Sequence, residues 1–204
     1  MTDEYKTIKT EGEGYYTEKR SKFLAFAHHV ESVDEVKELV GGYRKKYFDA
    51  RHVCYAYRIW SMINGQWSMV EKYSDNGEPS GTAGRPMMGT MQKAELTNVL
   101  IIVVRYFGGI LLGTPGLIAA YREAATQALQ AAAVVTRTQE SQAVVSFDYA
   151  AMNAVMKLLK QHSARIVSQQ TDLRCTLTIA APASVTAQLL PQLKKIPSLH
   201  SDGE

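Results

Sequence analysis

The sequence predicts an α+β protein made of two domains, with a boundary near residue 137. The same mixed pattern in two stretches of the chain predicts the α+β class. Residues 1–135 contain both strand-like and helix-like segments, and residues 142–195 contain a second, shorter series of them. The local character of the chain changes around TRTQES, residues 136–141. A length of 204 residues is enough for two small domains, and 46% hydrophobic content is ordinary for a globular protein. We therefore expect domains at 1–137 and 138–204.

The first third of the chain predicts extended segments followed by a helix. Residues 5–30 alternate imperfectly between apolar and polar side chains, and EGEG interrupts them as a turn signal. Ser32 followed by Glu35 has the spacing of a capping box. Apolar residues then recur at helical spacing, which predicts a helix ending near Tyr47.

The middle of the chain predicts a hairpin, a buried strand and two helices. CYAYRIW (54–60) and WSMVEKY (67–73) are expected to be strands joined at Asn64-Gly65. A short helix is expected around Met87 to Leu96, and the β-branched run in LTNVLIIVVRYFG predicts a buried strand. Alanine and leucine content then predicts a helix over LIAAYREAATQALQAAAVV.

The last 65 residues predict the order strand, helix, strand, strand, helix, strand. These segments are QAVVSFDY, AAMNAVMKLLKQH, ARIVSQQ, LRCTLTIA and SVTAQLLPQLKK, with a short final strand near Ser198 to Ser201. This order is the split-βαβ, ferredoxin-like plan. Pro191 is expected to kink or shorten the last helix, because proline cannot donate the helical hydrogen bond.

Composition excludes several classes of protein. The net charge is only +3, and basic and acidic residues are balanced both in residues 1–139 and in residues 140–204, so neither part is a basic arm or an acidic tail and nucleic-acid binding would need a local patch. Two distant cysteines without a CxxC motif suit a reducing cytosol rather than a disulfide scaffold or zinc knuckle. The N-terminus has no apolar signal region, and the run from Val99 to Val104 is too short to span a bilayer. We expect a cytoplasmic protein with no membrane association.

Two glycine-rich segments are candidates for binding. In VVRYFGGILLGTPGLIAAY a predicted strand runs through a loop into a helix, whose start could form an anion site with Thr114 as N-cap and Arg105 nearby. The P-loop lysine is missing, and the glycines could instead serve only a tight turn. In DNGEPSGTAGRP, residues 75–86, Asp75 and Glu78 could act as acid and base, but their spacing fits no metal motif. A shaped surface loop that binds a ligand is the favoured interpretation.

Two further segments carry weaker signals. His52 and Cys54 in ARHVCYAY would share one face of a strand, so a Cys–His pair is geometrically conceivable, although a buried structural cysteine is much commoner. Tyr15, Tyr16, Lys19, Arg20, Lys22 and Phe23 mix aromatic and basic side chains that could serve RNA. A half-buried edge strand whose lysines prevent aggregation explains the same residues and is the favoured interpretation.

The segments ARHVCYAY, SDNGEPSGTAGRPM and VVRYFGGILLGTPGLIAAY resemble the signature segments of the IMPACT/YigZ family, in the same order. The resemblance is strong over residues 15–130; Pro115 stands where members more often carry glycine. It implies an N-terminal domain of the ribosomal protein S5 domain 2-like fold and a C-terminal domain similar to the last domain of elongation factor G. Eukaryotic relatives modulate translation by competing for an activator of a stress-responsive kinase, a pathway that bacteria lack. Fold kinship suggests a nucleic-acid or ribosome-associated role for bacterial members.

The leading hypothesis is a non-enzymatic binding protein linked to translation through RNA, the ribosome or a translation-associated protein, with no cofactor, no metal and no DNA specificity. It would bind through one anion-binding surface that the two glycine-rich loops form together. The alternative is an enzyme acting on a small phosphorylated or acylated substrate in the same cleft, and a protein-interaction module is a third hypothesis. The predicted binding residues, for anion or RNA, are Arg51, His52, Asp75, Gly77, Glu78, Gly81, Thr82, Gly84, Arg85, Arg105, Gly108, Gly109, Gly113 and Thr114.

Overall fold

A computed structural model describes residues 3–63, 66–197 and 199–200 of the chain. The chain divides into two compact units, one of them Lys6–Thr136 and the other running from Arg137 onward together with the segment before Lys6. The division falls one residue before the predicted boundary, and the N-terminal segment joins the second unit. Both units mix helices with sheets, as the α+β prediction requires.

The first unit is built on a five-stranded antiparallel sheet. Its elements, in chain order, are β1 (Glu4–Ile8), β2 (Gly12–Glu18), β3 (Ser21–His29), α1 (Val33–Lys46), β4 (His52–Ile63), β5 (Gln66–Ser74), α2 (Gly84–Lys93), β6 (Val99–Tyr106), α3 (Gly113–Ala131) and β7 (Val134–Thr138), of which β1 and β7 each cross the division between the units at one end. The sheet has the order β2-β3-β6-β4-β5, and β1 pairs with β7. All four strand pairings within the five-stranded sheet are antiparallel.

The central strand β6 is buried on both faces, which explains its continuous apolar sequence. Val99, Ile101 and Val103 pack in the cluster that contains residues of α2 and α3. Leu100, Ile102 and Val104 pack in the cluster that contains residues of α1. The predicted buried strand is therefore confirmed, since a strand covered on both faces has no polar side to alternate with.

Helix α1 begins where the capping signal predicted. The Ser32 side chain accepts a hydrogen bond from the Glu35 backbone N–H at 3.2 Å. The Glu35 carboxylate reaches back to the backbone N–H of Glu31 at 2.9 Å, one residue earlier than in the standard capping box. The helix ends at Lys46, next to the predicted Tyr47.

Helix α3 lies so close to β2 that two glycines of the strand are required. A Cβ atom added to Gly12 would lie 2.0 Å from the carbonyl oxygen of Ala128. One added to Gly14 would lie 2.6 Å from the carbonyl oxygen of Ala124. Because both obstructing atoms belong to the helix backbone, any larger residue would push α3 off the sheet.

The second unit has the predicted order of strands and helices. Its elements are β8 (Glu140–Phe147), a 3-10 turn (Tyr149–Ala151), α4 (Met152–Gln161), β9 (Arg165–Thr171), β10 (Cys175–Pro182), α5 (Ala183–Leu193) and β11 (Leu199–His200). The four strands lie in the order β11-β8-β10-β9 with antiparallel neighbours. Phe147, Val155, Leu177 and Leu189 belong to its apolar core. Pro191 lies inside α5, which ends two residues later.

Some local predictions are corrected by the structure. Helix α2 begins at Gly84, three residues before the predicted start. Thr114 is not an N-cap, because α3 already begins at Gly113 and Leu112 occupies the cap position without a side-chain hydrogen bond. The expected hairpin turn at Asn64-Gly65 lies outside the described residues, as do Ser198 and Ser201 of the expected final strand. Among the helices that the structure describes, none is long and apolar enough to cross a bilayer.

Candidate functional site

Asp75 anchors the loop between β5 and α2. Its Oδ2 accepts a hydrogen bond from the Gly81 N–H at 2.8 Å, and its Oδ1 accepts from the N–H groups of Ala83 at 3.0 Å and Gly84 at 2.8 Å. These donors lie at the start of α2, whose N-cap residue Ala83 has no side-chain acceptor. A carboxylate from the preceding strand end therefore supplies the cap that the helix lacks.

Glu78 is the centre of a buried polar network. Its side chain is only 3% exposed, and its Oε1 accepts from the Arg105 guanidinium at 2.5 Å and from the Tyr121 hydroxyl at 2.9 Å. His52 Nε2 lies 3.8 Å from the same oxygen. A buried carboxylate is stable only when it is paired in this way, so Glu78 must keep these partners in the folded protein.

His52 and Cys54 lie two residues apart on β4 and both meet the loop that follows β5. The His52 Nδ1 lies 2.9 Å from the carbonyl oxygen of Asn76, which can only accept, so Nδ1 carries the proton. The Cys54 thiol donates to the carbonyl oxygen of Asp75 at 2.9 Å, and its sulfur lies 3.4 Å from the Tyr121 hydroxyl. The two side chains thus bond to the loop rather than to each other.

Burial sets the protonation of this network. The pKa of the Cys54 thiol is raised to about 12, chiefly because burial desolvates it; Glu78 and Asp75 add to the increase, while Tyr121 and Arg105 oppose it. Desolvation is also the main cause that raises the pKa of Tyr121 far above its ordinary value, with Cys54 and Glu78 adding to it. At neutral pH both groups are therefore protonated, and Cys54 is not a thiolate nucleophile.

Arg105 lies at the end of β6, opposite Phe23 on β3 and His52 on β4. Besides Glu78, its guanidinium contacts Ser21 Oγ at 3.4 Å and lies 5.4 Å from the centre of the Phe23 ring. Its Nε is buried and has no hydrogen-bond partner among the described residues. The Arg105 side chain is only 6% exposed, so it faces the interior and not a solvent-borne anion.

Ser21 connects this network to the second glycine-rich segment. The Ser21 hydroxyl oxygen accepts from the Gly108 N–H at 3.2 Å. A Cβ at Gly108 would lie 2.1 Å from the Arg20 carbonyl carbon, so the loop after β6 is pressed against the β2–β3 turn. Gly109 and Gly113 have positive φ angles of 83° and 70°, which other residues adopt only with strain.

The predicted binding residues divide into two groups by exposure. Arg51, Gly77, Arg85, Gly109, Gly113 and Thr114 are exposed, with Gly81 and Gly108 half-buried. The buried group consists of His52, Glu78, Thr82, Gly84 and Arg105, and Asp75 is half-buried. Thr82 donates to the Pro79 carbonyl at 2.6 Å, and a Cβ at Gly84 would meet the Tyr73 ring. Of the predicted residues, the structure brings His52, Glu78 and Arg105 together around one carboxylate oxygen.

Sequence reasoning missed Ser21 and Tyr121 as members of this network. Tyr121 lies at a core-facing position of the predicted helix α3, where an aromatic residue needs no special role. No local signal marks either residue, because their partners are 43 and 84 positions away in the chain. Among the described residues there is no group of three His, Cys, Asp or Glu side chains that could hold a metal ion.

Comparison with known proteins gives matches over the same segments. A family model for the Impact N-terminal domain matches residues 19–129. The IMPACT family member YigZ of Escherichia coli (strain K12) is 33% identical over 175 residues, which are 86% of this chain and 84% of that protein. The IMPACT family member YvyE of Bacillus subtilis (strain 168) is 34% identical over 161 residues, covering 79% of this chain and 72% of that protein.

A solved structure agrees with these relatives. A crystal structure described as that of a hypothetical protein covers 100% of this chain and 100% of its own, with 28% sequence identity and a TM-score of 0.70. The model match spans more than half of the 204 residues and includes every buried member of the Glu78 network. The chain therefore belongs to the IMPACT family.

Proposed function

We propose that this chain is a non-enzymatic binding protein linked to translation, acting on RNA, the ribosome or a translation-associated protein. One observation carries the proposal: the charged side chains Asp75, Glu78 and Arg105 of the signature segments form hydrogen bonds with other groups of the protein. Asp75 and Glu78 accept hydrogen bonds from internal donors, and Arg105 is buried against Glu78. Such residues shape a surface without reacting at it. The link to translation rests on family membership, since eukaryotic relatives modulate translation.

The enzyme alternative is the weaker of the two. It requires Asp75, Glu78, His52 and Cys54 to act on one substrate, and all four lie in or beside the loop that follows β5. However, burial raises the pKa of the Cys54 thiol to about 12, so the nucleophile that this alternative needs is protonated at neutral pH. Both carboxylates already accept hydrogen bonds from donors within the protein. This arrangement is better explained as a fold-stabilising network.

The proposed contact surface consists of the exposed cations that flank the two glycine-rich loops. Arg51 immediately precedes His52, and the ring of His52 lies beside Gly77 of the first loop. Arg20 lies in the β2–β3 turn against Gly108. Both are exposed, so they can meet phosphate oxygens, whereas Arg105 acts indirectly by holding the loops in place.

Ribosome co-sedimentation at low and high salt tests this role. We expect the parent protein to pellet at low salt and to lose binding as salt rises, because phosphate contacts release counterions. The double variant Arg20→Glu/Arg51→Glu should bind about tenfold more weakly at low salt. Its matched control, Lys72→Glu/Lys157→Glu, changes the net charge equally at exposed positions that are not part of the two glycine-rich loops and should bind like the parent. Equal pelleting of parent and double variant would remove the proposed surface.

A protein partner is a second candidate, favoured by apolar side chains on the loop after β6. Phe107 is 43% exposed, Ile110 42% and Leu111 82%. Apolar contacts are not screened by salt, so a partner held by this loop should stay bound when salt is raised. The variant Ile110→Ser/Leu111→Ser should then abolish the salt-resistant fraction of pelleted protein. If no salt-resistant fraction exists in the parent, this second candidate fails.

We also propose specific fold names and a location for the chain. The order β11-β8-β10-β9 with antiparallel neighbours supports a ferredoxin-like second unit. The resemblance of the signature segments supports an S5 domain 2-like first unit. Two buried, unpaired cysteines fit a reducing compartment, which supports a cytoplasmic location.

A further inference from the structure

A groove of about 630 Å³ lies between α2 and α3, and neither Glu78 nor its partners Arg105 and Tyr121 line it. Six of its lining residues fall on two stripes at spacings of four along each helix: Arg85, Gly89 and Lys93 from α2, and Ile118, Arg122 and Thr126 from α3. Residues four apart share one helix face, so each helix presents a continuous edge to the groove. Its volume is in the range typical of small-ligand sites.

The groove is strongly positive. Arg85, Lys93 and Arg122 all line it, and none of the three forms an ion pair with any residue that the structure describes. Elsewhere on the surface of the same unit, Lys37 pairs with Asp34 and Arg58 pairs with Glu71. Three unneutralised cations around one concave surface repel one another and focus a positive potential into it. A bound anion would relieve that repulsion.

The glycine at position 89 of α2 also supports a ligand site in the groove. A glycine in a helix interior costs about 0.5–1 kcal/mol relative to alanine. At Gly89 no atom lies within 4 Å of an added Cβ, and φ is not in the left-handed region, so the fold itself does not need glycine there. What the missing side chain provides is open space between Arg85 and Lys93.

The arrangement suits a particular class of ligand. Arg85 and Lys93 are eight residues apart, which places them about 12 Å apart along the helix axis. That separation exceeds the size of a single phosphate, while guanidinium groups suit phosphate oxygens in bidentate geometry. Ile118 adds an apolar contact for an organic part of the ligand. We propose that the α2–α3 groove binds a small organic ligand that carries two or more adjacent phosphate groups. This inference does not depend on the proposed role in translation.

The test measures binding of four probes to the full chain by calorimetric titration in a chelator-containing buffer. The probes are a nucleoside triphosphate, pyrophosphate, inorganic phosphate and a twelve-residue oligouridylate. We expect the triphosphate to bind at least about tenfold more tightly than inorganic phosphate. The oligouridylate distinguishes a free oligophosphate from the phosphates of an RNA strand. If it binds to the groove and the triphosphate does not, the small-ligand proposal is overturned.

Two variants separate the groove from general charge and from folding. Arg122→Glu reverses a groove charge and should weaken triphosphate binding at least about tenfold. Lys157→Glu is the matched control, an equal charge change at an exposed helical position of the other unit, and should bind like the parent. Gly89→Leu fills the groove while improving helix propensity, so it should remain folded, and a urea midpoint equal to the parent's separates its expected loss of binding from unfolding.

Two further results would overturn the proposal. One is triphosphate binding by Arg122→Glu and Gly89→Leu that equals binding by the parent. The other is a parent protein that binds neither triphosphate nor pyrophosphate at millimolar concentration. Neither result would bear on ribosome co-sedimentation, which is tested through Arg20 and Arg51.

Discussion

At the scale of single residues, the signature segments hold together through one oxygen atom. Glu78 Oε1 accepts from both Arg105 and Tyr121, which lie near the two ends of one signature segment, so that segment is tied to the loop that carries Glu78. The cost of burying Glu78 and Arg105 is offset only while both are present. This makes the network sensitive to the loss of either partner and tolerant of the loss of both.

Removing the Glu78 charge should therefore be severe. We expect Glu78→Gln to lower the free energy of unfolding by about 3–5 kcal/mol, because the buried Arg105 guanidinium loses its counter-charge while Gln keeps an acceptor for Tyr121. Urea unfolding measures the change. The double variant Glu78→Gln/Arg105→Met should cost less than the single one, since no unpaired charge remains. A double variant that is less stable than Glu78→Gln would contradict this account.

The buried Cys54 thiol predicts a specific pH dependence. Its pKa is raised from 9.0 to about 12 in the folded protein, so between these values the unfolded chain loses a proton that the folded protein keeps. Stability should thus be unaffected by this group below about pH 9 and fall by up to about 1.4 kcal/mol per pH unit above it. Cys54→Ser keeps a donor for the Asp75 carbonyl but does not titrate in this range.

The measurement is urea unfolding of the parent and of Cys54→Ser under reducing conditions at pH 8 and pH 10.5. The parent should lose stability relative to the variant as pH rises, because only the parent carries the titrating thiol. A difference that stays constant over this range would mean that Cys54 is accessible to solvent in the folded protein.

At the scale of elements, the first residues of α1 and α2 show what the local sequence can and cannot predict. The start of α1 was predictable because Ser32 and Glu35 cap it within one turn. The start of α2 was not, because its acceptor Asp75 lies eight and nine residues before the donors Ala83 and Gly84. Strand β6 was also predictable, because a strand that is buried on both faces has a continuous run of apolar residues in its sequence.

Asp75 should stabilise α2 as a capping residue. We expect Asp75→Ala to destabilise the protein by about 1–2 kcal/mol, because three backbone N–H groups lose their acceptor. Asp75→Asn should cost less, since the amide oxygen can still accept. Ser32→Ala at the start of α1 provides a reference of about 1 kcal/mol for a conventional cap. Urea unfolding compares the three variants, and an Asp75→Ala protein as stable as the parent would refute the capping role.

At the scale of the whole molecule, each compact unit has its own apolar core. Cys54 is buried in the unit Lys6–Thr136, and Cys175 is buried in the other, where it lies opposite Phe147 in the sheet. The two thiols are therefore separate internal reporters of unfolding. Proteins with more than one core need not unfold in a single two-state step.

A core deletion in the second unit should affect its own thiol most. We expect Phe147→Ala to destabilise that unit by about 3–5 kcal/mol, because a large buried ring is removed from a packed core. In single-cysteine backgrounds, Cys175 should become reactive toward a thiol reagent at lower urea than in the parent. Cys54 should keep its parental urea midpoint. Equal shifts for both thiols would show that the two units unfold as one.

The sequence by itself determined the two-part α+β organisation, most helices and strands, and the family signature segments. These depend on periodicity, caps and apolar runs, which act between residues close in the chain. Only the tertiary structure decided that Asp75, Glu78 and Arg105 face inward and that Tyr121 and Ser21 complete their network. It also decided that Arg85, Lys93 and Arg122 share a groove. Those outcomes depend on contacts between residues tens of positions apart, and the register and packing that create such contacts leave no local pattern to read.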